Sequence, residues 1–273
     1  MIRILRELDS FASFLADLNH DPDFSDPHLL TEEQLQCNLR NAVEKQSDLV
    51  LGVFDGDRIT GLFVFLVLPQ ERYLEMIVGL SRSSAAYREI LDFLRVCYPD
   101  FQADFVFNPH NELLKRLLAE RNAAFDPVQR RMTLADFRQK QDTEGIVPLS
   151  EQYFSEYSDL HGKDVYWTAE KVFQAPDRFR AFLAVEDGQV VGYVDVTHKF
   201  EENEVYDLLV REASRRRGWG KKLMEKALAE NRPHGMLLFV DADNDPAICL
   251  YQSLGFAFVP RGDNQTAFWQ IPS

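Results

Sequence analysis

Cysteine is scarce in this sequence: three in 273 residues, Cys37, Cys97 and Cys249, odd in number, far apart and in no Cys-x-x-Cys spacing. That excludes a disulfide framework or a zinc ribbon and suits a reducing compartment, with each thiol expected in a core. Long hydrophobic runs are missing as well. The longest, Leu62 to Leu68, is far too short to span a bilayer, and the segment Met1 to Glu7 is charged throughout. Neither export nor a membrane partner is indicated, and a cytoplasmic location is expected. There is no Gly-x-Ser-x-Gly elbow, no His-Glu-x-x-His pair and no phosphate loop ending in Gly-Lys-Ser/Thr, so serine hydrolysis, zinc proteolysis and nucleotide hydrolysis lack support. The six histidines are scattered and no metal is expected. Positive charge is also in deficit. With 30 basic against 44 acidic residues and a net charge of -14, the surface repels phosphate backbones and anionic lipid, which argues against nucleic acid as a partner.

Against those absences stand 45% hydrophobic and 27% charged residues, the balance of a globular protein, and 21 phenylalanines for an aromatic core. The length favours two domains. Two hairpin signals recur, each with Asp-Gly between β-rich runs. One is Leu49 to Val64 around Asp55-Gly56-Asp57-Arg58, and the other is Ala181 to Val196 around Glu186-Asp187-Gly188-Gln189. Gly61 and Gly192, just after the turns, lie 131 positions apart, and Asn111 and Asn244, each opening a helical pattern, lie 133 apart. Nearly equal offsets imply two copies of one fold. Because Arg138 to Glu144 has no apolar residue to bury, the join is expected near Gly145, giving domains 1–140 and 145–273.

In the second copy, Ser150 to Leu160 and Thr168 to Gln174 read as helices, with Thr168 as a possible N-cap. Glu204 to Val210 reads as a strand, Gly218 to Glu230 as a helix with Leu223, Met224, Ala227 and Leu228 on one face, and Met236 to Val240 as a buried strand. Pro246 to Leu254 is a short helix capped by Asn244 or Asp245 and ended by Gly255. Two terminal strands, Phe256 to Pro260 and Gln265 to Ile271, follow.

The segment Arg215-Arg216-Arg217-Gly218-Trp219-Gly220-Lys221 lies between a strand and a helix, where backbone N–H groups and the helix dipole favour an anion. From Arg211 to Lys226 there are 7 basic and 2 acidic residues, a local reversal of the chain's charge. Arginine, two residues, glycine, one residue, glycine, preceded by Tyr206-Asp207-Leu208-Leu209-Val210, resembles the Arg/Gln-x-x-Gly-x-Gly/Ala motif of the GNAT superfamily of N-acetyltransferases. Asn244-Asp245-Pro246-Ala247-Ile248-Cys249-Leu250-Tyr251-Gln252-Ser253-Leu254-Gly255-Phe256 is similar to that family's second motif. The specific motifs cover the second half of the chain only.

The resemblance implies an α/β (α+β) fold of two tandem GNAT-like acyl-CoA N-acyltransferase domains, each a mixed, mainly antiparallel sheet flanked by helices. It further implies an enzyme that transfers an acetyl group from acetyl-CoA to a primary amine, on a small molecule or a peptide, by direct attack in a ternary complex. The diphosphate of coenzyme A would lie on Arg215, Arg216, Arg217, Gly218, Trp219, Gly220 and Lys221. The pantetheine arm and acetyl carbonyl would lie along Leu208, Leu209 and Val210, with the N–H of Leu209 or Val210 facing the developing oxyanion, and Asn244 would contact the cofactor. Tyr251 stands at the family's general-acid position. Glu204, fourteen residues before Gly218, is the candidate base, with Asp207 as the alternative if a bulge brings it to the same strand face.

The acceptor is expected at the connection His161-Gly162-Lys163-Asp164-Val165-Tyr166-Trp167, although packing explains those residues equally. In the first copy a constant offset of 133 puts Arg82-Ser83-Ser84-Ala85-Ala86-Tyr87 at the cradle and Leu118 at Tyr251, so this copy is expected to be degenerate. A non-catalytic acyl-CoA binding or sensing module remains the alternative, and a monomer and a homodimer both remain open.

Overall fold

The computed structural model describes residues 1–30, 32–135, 137, 142–162 and 167–273. They form two compact units, one of residues 1–130 with 260–273 and the other of residues 131–259. The first contains β1 (Ile2–Ile4), α1 (Ala12–Asn19), α2 (Glu32–Gln34), β2 (Asp48–Asp55), β3 (Arg58–Leu68), β4 (Tyr73–Ser81), α3 (Ser84–Cys97), β5 (Gln102–Phe107), α4 (Glu112–Ala119) and β6 (Ala124–Phe125). The chain then runs through β7 (Gln129–Leu134), β8 (Ile146–Pro148), α5 (Phe154–Leu160), α6 (Ala169–Gln174), β9 (Phe179–Glu186), β10 (Gln189–Thr197) and β11 (Glu202–Val210). It ends with α7 (Trp219–Asn231), β12 (Gly235–Asp241), α8 (Asp245–Ser253), β13 (Ala257–Phe258) and β14 (Gln265–Gln270).

The sheet orders are β1–β2–β3–β4–β5–β14–β6 and β8–β9–β10–β11–β12–β7–β13, the same plan twice. The repeat read from the two glycines and two asparagines is therefore a repeat of architecture. Its last strand is exchanged: β14 sits between β5 and β6, and β7 occupies the matching place beside β13. Residues 260–273 thus complete the first sheet, whereas the expected division had put them in the second domain. Likewise 131–134 belong to the second sheet and not to the first domain. Both strands are short, alternating and Gln-led, so local pattern fixes what they are but not which sheet receives them. Of the expected join, residues 138–141 lie outside the described residues.

Local chemistry accounts for the elements that frame the site. Asp187 and Gly188 both have positive φ, the backbone of a type I′ turn whose twist matches the β9–β10 hairpin. Helix α7 buries Leu223, Met224, Ala227 and Leu228 on one face, and each of the leucine and methionine side chains contributes about 1.5–3 kcal/mol on leaving water. Helices α4 and α8 are capped alike: the side chain of Asn111 accepts from Leu114 N–H, and that of Asn244 from Ala247 N–H. Among the described residues no helix is long and apolar enough to cross a membrane. The three cysteines, expected in a core, are all exposed. Cys97 is the last residue of α3 and Cys249 points off the side of α8 that carries Ile248 and Tyr251, so neither meets the core.

In both units the central parallel pair separates early. β4 and β5 pair from Tyr73↔Gln102 to Met76↔Phe105, and β11 and β12 from Glu202↔Gly235 to Val205↔Leu238, four residue pairs each. In the first unit the resulting gap is filled from within. The Asp26 carboxylate accepts from Gly79 N–H at 2.7 Å, His28 Nδ1 donates to the Ile77 carbonyl at 2.9 Å, and buried Tyr87 accepts from Asn111 Nδ2 at 2.7 Å. The strand-to-helix connection there is only residues 82–83, against 211–218 in the second unit. The cradle is therefore deleted from the first copy and not, as a constant offset suggests, substituted in place.

Asn111 both caps α4 and hydrogen-bonds the buried Tyr87 hydroxyl. Asn111→Ala is expected to cost about 2–3 kcal/mol, because it removes a cap and strands a buried hydroxyl. Asn244→Ala, whose cap is exposed, is expected to cost only about 1 kcal/mol. Urea unfolding of the two variants measures the difference.

Candidate active site

The gap between β11 and β12 opens toward the start of α7. Gly218 is the N-cap of that helix at φ +89°, a left-handed conformation open to glycine, and a Cβ built there meets nothing within 4 Å. Among the described residues no side chain caps this helix end. Its first N–H groups and the positive end of its dipole are thus available to an anion, with Arg216 (φ +63°) shaping the approach. The basic side chains contribute less than their number suggests. Arg217 forms a two-pronged pair with Glu186, Lys222 lies 3.1 Å from Asp142, Lys221 lies 3.9 Å from Glu225, and Arg215 Nε donates to the Val210 carbonyl at 3.1 Å. Arg216 is exposed and has no hydrogen bond or ion pair among the described residues. Trp219 packs its ring on Gly145, where an added Cβ would lie 3.0 Å from it, so this residue offers the loop its backbone and not its side chain. Gly220, in the first turn of the helix, lies beside Leu250.

Along β11 a bulge falls at Tyr206: Asp195 opposes Asp207 while the next residue, Val196, opposes Val205. The extra residue reverses the alternation and brings Asp207 to the same face as Glu204, the arrangement that strand periodicity alone forbids. The first unit has the same bulge at Ile77, between Val64↔Val78 and Phe65↔Met76. Matching the bulges aligns Gly79 with Leu208 and Val78 with Asp207. Because Gly79 N–H points into the gap of its unit, Leu208 N–H is directed the same way. Alternation adds Val210, whereas Leu209 N–H faces β10. Among the described residues no side chain takes the Leu208 N–H.

Tyr251, on α8, is buried, packs edge-on to Phe256 and makes no hydrogen bond through its hydroxyl among the described residues. Burial, then the charge of Asp207, pushes its pKa up to about 12. Glu204 is half-buried and held by its own N–H, which donates to Thr197 Oγ1 at 2.8 Å. Asn244 is placed as a helix cap.

One polar cluster escaped the sequence reading. The Tyr193 hydroxyl donates to Asp207 at 2.6 Å, the Tyr157 hydroxyl donates to Asp195 at 2.8 Å, and His161 Nε2 lies 3.0 Å from the same Asp195 oxygen. His161 stacks on Tyr193 with ring centroids 5.2 Å apart. Asp195 is completely buried and its second oxygen has no partner among the described residues. The sequence signal was present: Tyr193, Asp195 and Thr197 put a polar group at every second position of an otherwise apolar strand. At the positions equivalent to Tyr193, Asp195 and Asp207 the first unit has Leu62, Val64 and Val78, all in its core. Of the expected acceptor connection, His161 is built into this cluster and Trp167 packs on Phe179. Lys163, Asp164, Val165 and Tyr166 lie outside the described residues.

These features, a mixed sheet with an early-parting parallel pair and an uncapped helix start beside the gap, are those of an acyltransferase fold. Residues 146–256 match the acetyltransferase (GNAT) family, and the second unit of the chain belongs to it. More particularly, this part is similar to a mycothiol acetyltransferase of Corynebacterium glutamicum, 35% identical over 111 residues, 37% of this chain and 38% of that one. The chain thus aligns with well under half the length of that curated relative. Over its whole length the fold is similar to a GCN5-related N-acetyltransferase from Sphaerobacter thermophilus, with a TM-score of 0.67, 14% identity and coverage of 100% of this chain and 96% of that one. It is also similar to a tandem GNAT protein from the clavulanic acid biosynthesis pathway, at TM-score 0.56, 13% identity and coverage of 98% and 97%.

The buried cluster makes stability depend on pH. Burial lowers the His161 pKa, but hydrogen bonds to Asp195 and the Gly162 carbonyl and the charges of Asp195 and Asp207 outweigh it, so the imidazole titrates above its ordinary 6.5. Burial raises Asp195 in spite of its bonds to His161 and Tyr157. Both groups hold protons more tightly in the folded chain than in the unfolded one. The His161 contribution is complete below pH 6.5 and is lost as pH rises through the folded value. The urea midpoint is expected to fall as pH rises from about 6 to about 9, and His161→Asn is expected to flatten that slope.

Proposed function

We propose that the chain is an N-acetyltransferase that moves an acetyl group from acetyl-CoA to a primary amine by direct attack in a ternary complex, with one active site, in the second unit. The observation that carries this reading is the gap between β11 and β12, which exposes the N–H groups of Leu208 and Val210 beside the uncapped start of α7. A diphosphate fits there, since the open space at Gly218, the free helix N–H groups and Arg216 all suit an anion of that size. Bound there, acetyl-CoA supplies the thioester. The side chains of the unit do the rest. Leu208 N–H faces the carbonyl oxygen as it gains charge. Tyr251, still protonated far above neutral pH, gives its proton to the departing sulfur. Glu204 takes the proton of the acceptor ammonium. Asp207, held by Tyr193 and lying on the same face, attracts that ammonium. The name of the curated relatives supports acyl transfer, but their aligned length is too short to bring their acceptor to this chain.

Tyr251→Phe is expected to lower kcat by about 100-fold or more while acetyl-CoA still binds, as loss of a positioned acid does. With the acid titrating only at about 12, the wild-type rate is expected to climb with pH from about 6 to about 10 without a falling limb, the climb reporting deprotonation of the amine. Glu204→Gln is expected to lower the rate across that range and to leave the climb in place, since the amine must still lose its proton, and Asp207→Asn to raise the acceptor KM. If no amine in a broad screen releases free thiol, the reading fails in favour of a non-catalytic acyl-CoA binding module.

A further inference from the structure

Arg178, just before β9, has no place in the chemistry above, yet it is built in with care. Its guanidinium lies 4.8 Å over the Trp167 ring, 5.6 Å from that of Phe179 and 5.9 Å from that of Phe200. Rings on several sides hold the planar group in one orientation. Its side chain makes no hydrogen bond or ion pair among the described residues, and Nε is buried without a partner. A buried, charged donor left unmet is costly, so stacking alone is a poor reason for it. His198 and Lys199 follow at the adjoining β10–β11 turn, where Lys199 Nζ sits 5.7 Å from the Phe200 ring. Asp177 and Glu201 adjoin these residues in sequence, so the corner carries both signs, and Arg178 is the cation the rings hold in place there.

The corner connects with the proposed site. Trp167 meets Phe179 edge-on with centroids 4.8 Å apart, and Phe179 meets Tyr206 at 5.7 Å. Tyr206 is the bulge residue between Glu204 and Asp207. A continuous aromatic floor therefore runs from Arg178 to the two carboxylates on the face of the sheet that carries Leu183, Tyr193 and Leu209. Its length follows from strand pairing. Phe179 opposes Thr197, and Thr197 Oγ1 accepts from Glu204 N–H. Two strand spacings, about 10 Å in all, thus separate Phe179 from Glu204.

We propose that Arg178 is a specificity-determining residue that binds an anionic group of the acceptor. The acceptor class is then an amine whose other end lies past the roughly 10 Å between Glu204 and Phe179, across a flat or apolar middle, and carries a carboxylate or a comparable anion. A free α-amino acid is too short. Three extended residues span about 10 Å, so a tripeptide with a free amino group and a free carboxylate is the shortest peptide that reaches that far with the right charges. The assignment rests on the acetyl-transfer reading only for the amine end.

The test is calorimetric titration of the full chain, with coenzyme A present, by glycyl-phenylalanyl-glycine and by its C-terminal amide. The acid is expected to bind about 10-fold more tightly than the amide, the increment of a charge-assisted pair. Arg178→Gln, which keeps the stem on Trp167, is expected to abolish the preference and leave amide affinity in place, and Arg178→Lys to restore part of it. Equal affinity for the two peptides, a preference that survives Arg178→Gln, or no binding of either overturns the inference. Thiol release with acetyl-CoA is measured separately. An Arg178-dependent preference without thiol release leaves the anion site standing and defeats the transfer reading instead.

Discussion

Parallel strands that part after four residue pairs leave backbone N–H and C=O groups facing a gap, and those groups must find partners elsewhere or carry the full cost of desolvation. The two units meet this constraint in opposite ways. In the first, Asp26 and His28 reach in and take the Gly79 N–H and the Ile77 carbonyl, Tyr87 fills the space, and the following connection is cut to two residues. The gap is closed by the protein's own side chains, with a carboxylate oxygen where an acyl oxygen would otherwise sit. In the second, no side chain among the described residues takes the matching Leu208 N–H, and the longer connection turns through Gly218 into an uncapped helix. Binding capacity and its absence thus come from one backbone plan, differing in what satisfies the same few atoms.

The bulge shows how far side chains diverge on a shared backbone. Both units carry it at the same register, so it belongs to the fold and not to the chemistry. Its consequence depends on the residues around it. With Leu62, Val64 and Val78 the face is core; with Tyr193, Asp195 and Asp207 it is a hydrogen-bonded network that includes a fully buried carboxylate. Such a network costs more to bury than three aliphatic side chains do, and replacing a buried polar network with apolar residues is often neutral or stabilising. The first unit is the natural example of that replacement. What the second unit gains is a fixed position for Asp207 beside Glu204.

The sequence made the repeat, the hairpins, the glycine before α7 and Asn244 as a helix cap legible because each rests on local chemistry: turn residues, a glycine at positive φ, an asparagine before an apolar run. The destinations of β7 and β14 were not legible. Two strands of like length and pattern carry no local mark of the sheet that accepts them, and the exchange is written only in long-range pairing. The bulge was foreseen as a condition, since only it reconciles Glu204 with Asp207, but a single inserted residue leaves no trace in composition. The constant offset misread the first copy because residues are deleted between β4 and α3, and subtraction cannot register a deletion. The cysteines were misplaced because average burial describes a residue type and not its position on a helix.

Charge orders the site along the sheet. At physiological ionic strength, exposed charges act over about 8 Å, so the net charge of -14 matters less than its local reversals. Near α7 the basic excess is largely consumed by Glu186, Asp142 and Glu225, which leaves the helix N–H groups and Arg216 to meet a diphosphate. In the proposed function, recognition there is mainly by backbone. Glu204 and Asp207 follow on the face where an amine would attack. Beyond the aromatic floor the sign changes again at Arg178. Two acids alone would hold any ammonium and favour none, because attraction between point charges carries little shape. A planar guanidinium fixed by Trp167, Phe179 and Phe200 adds a second point and a required distance, and two points at a set distance turn attraction into selection.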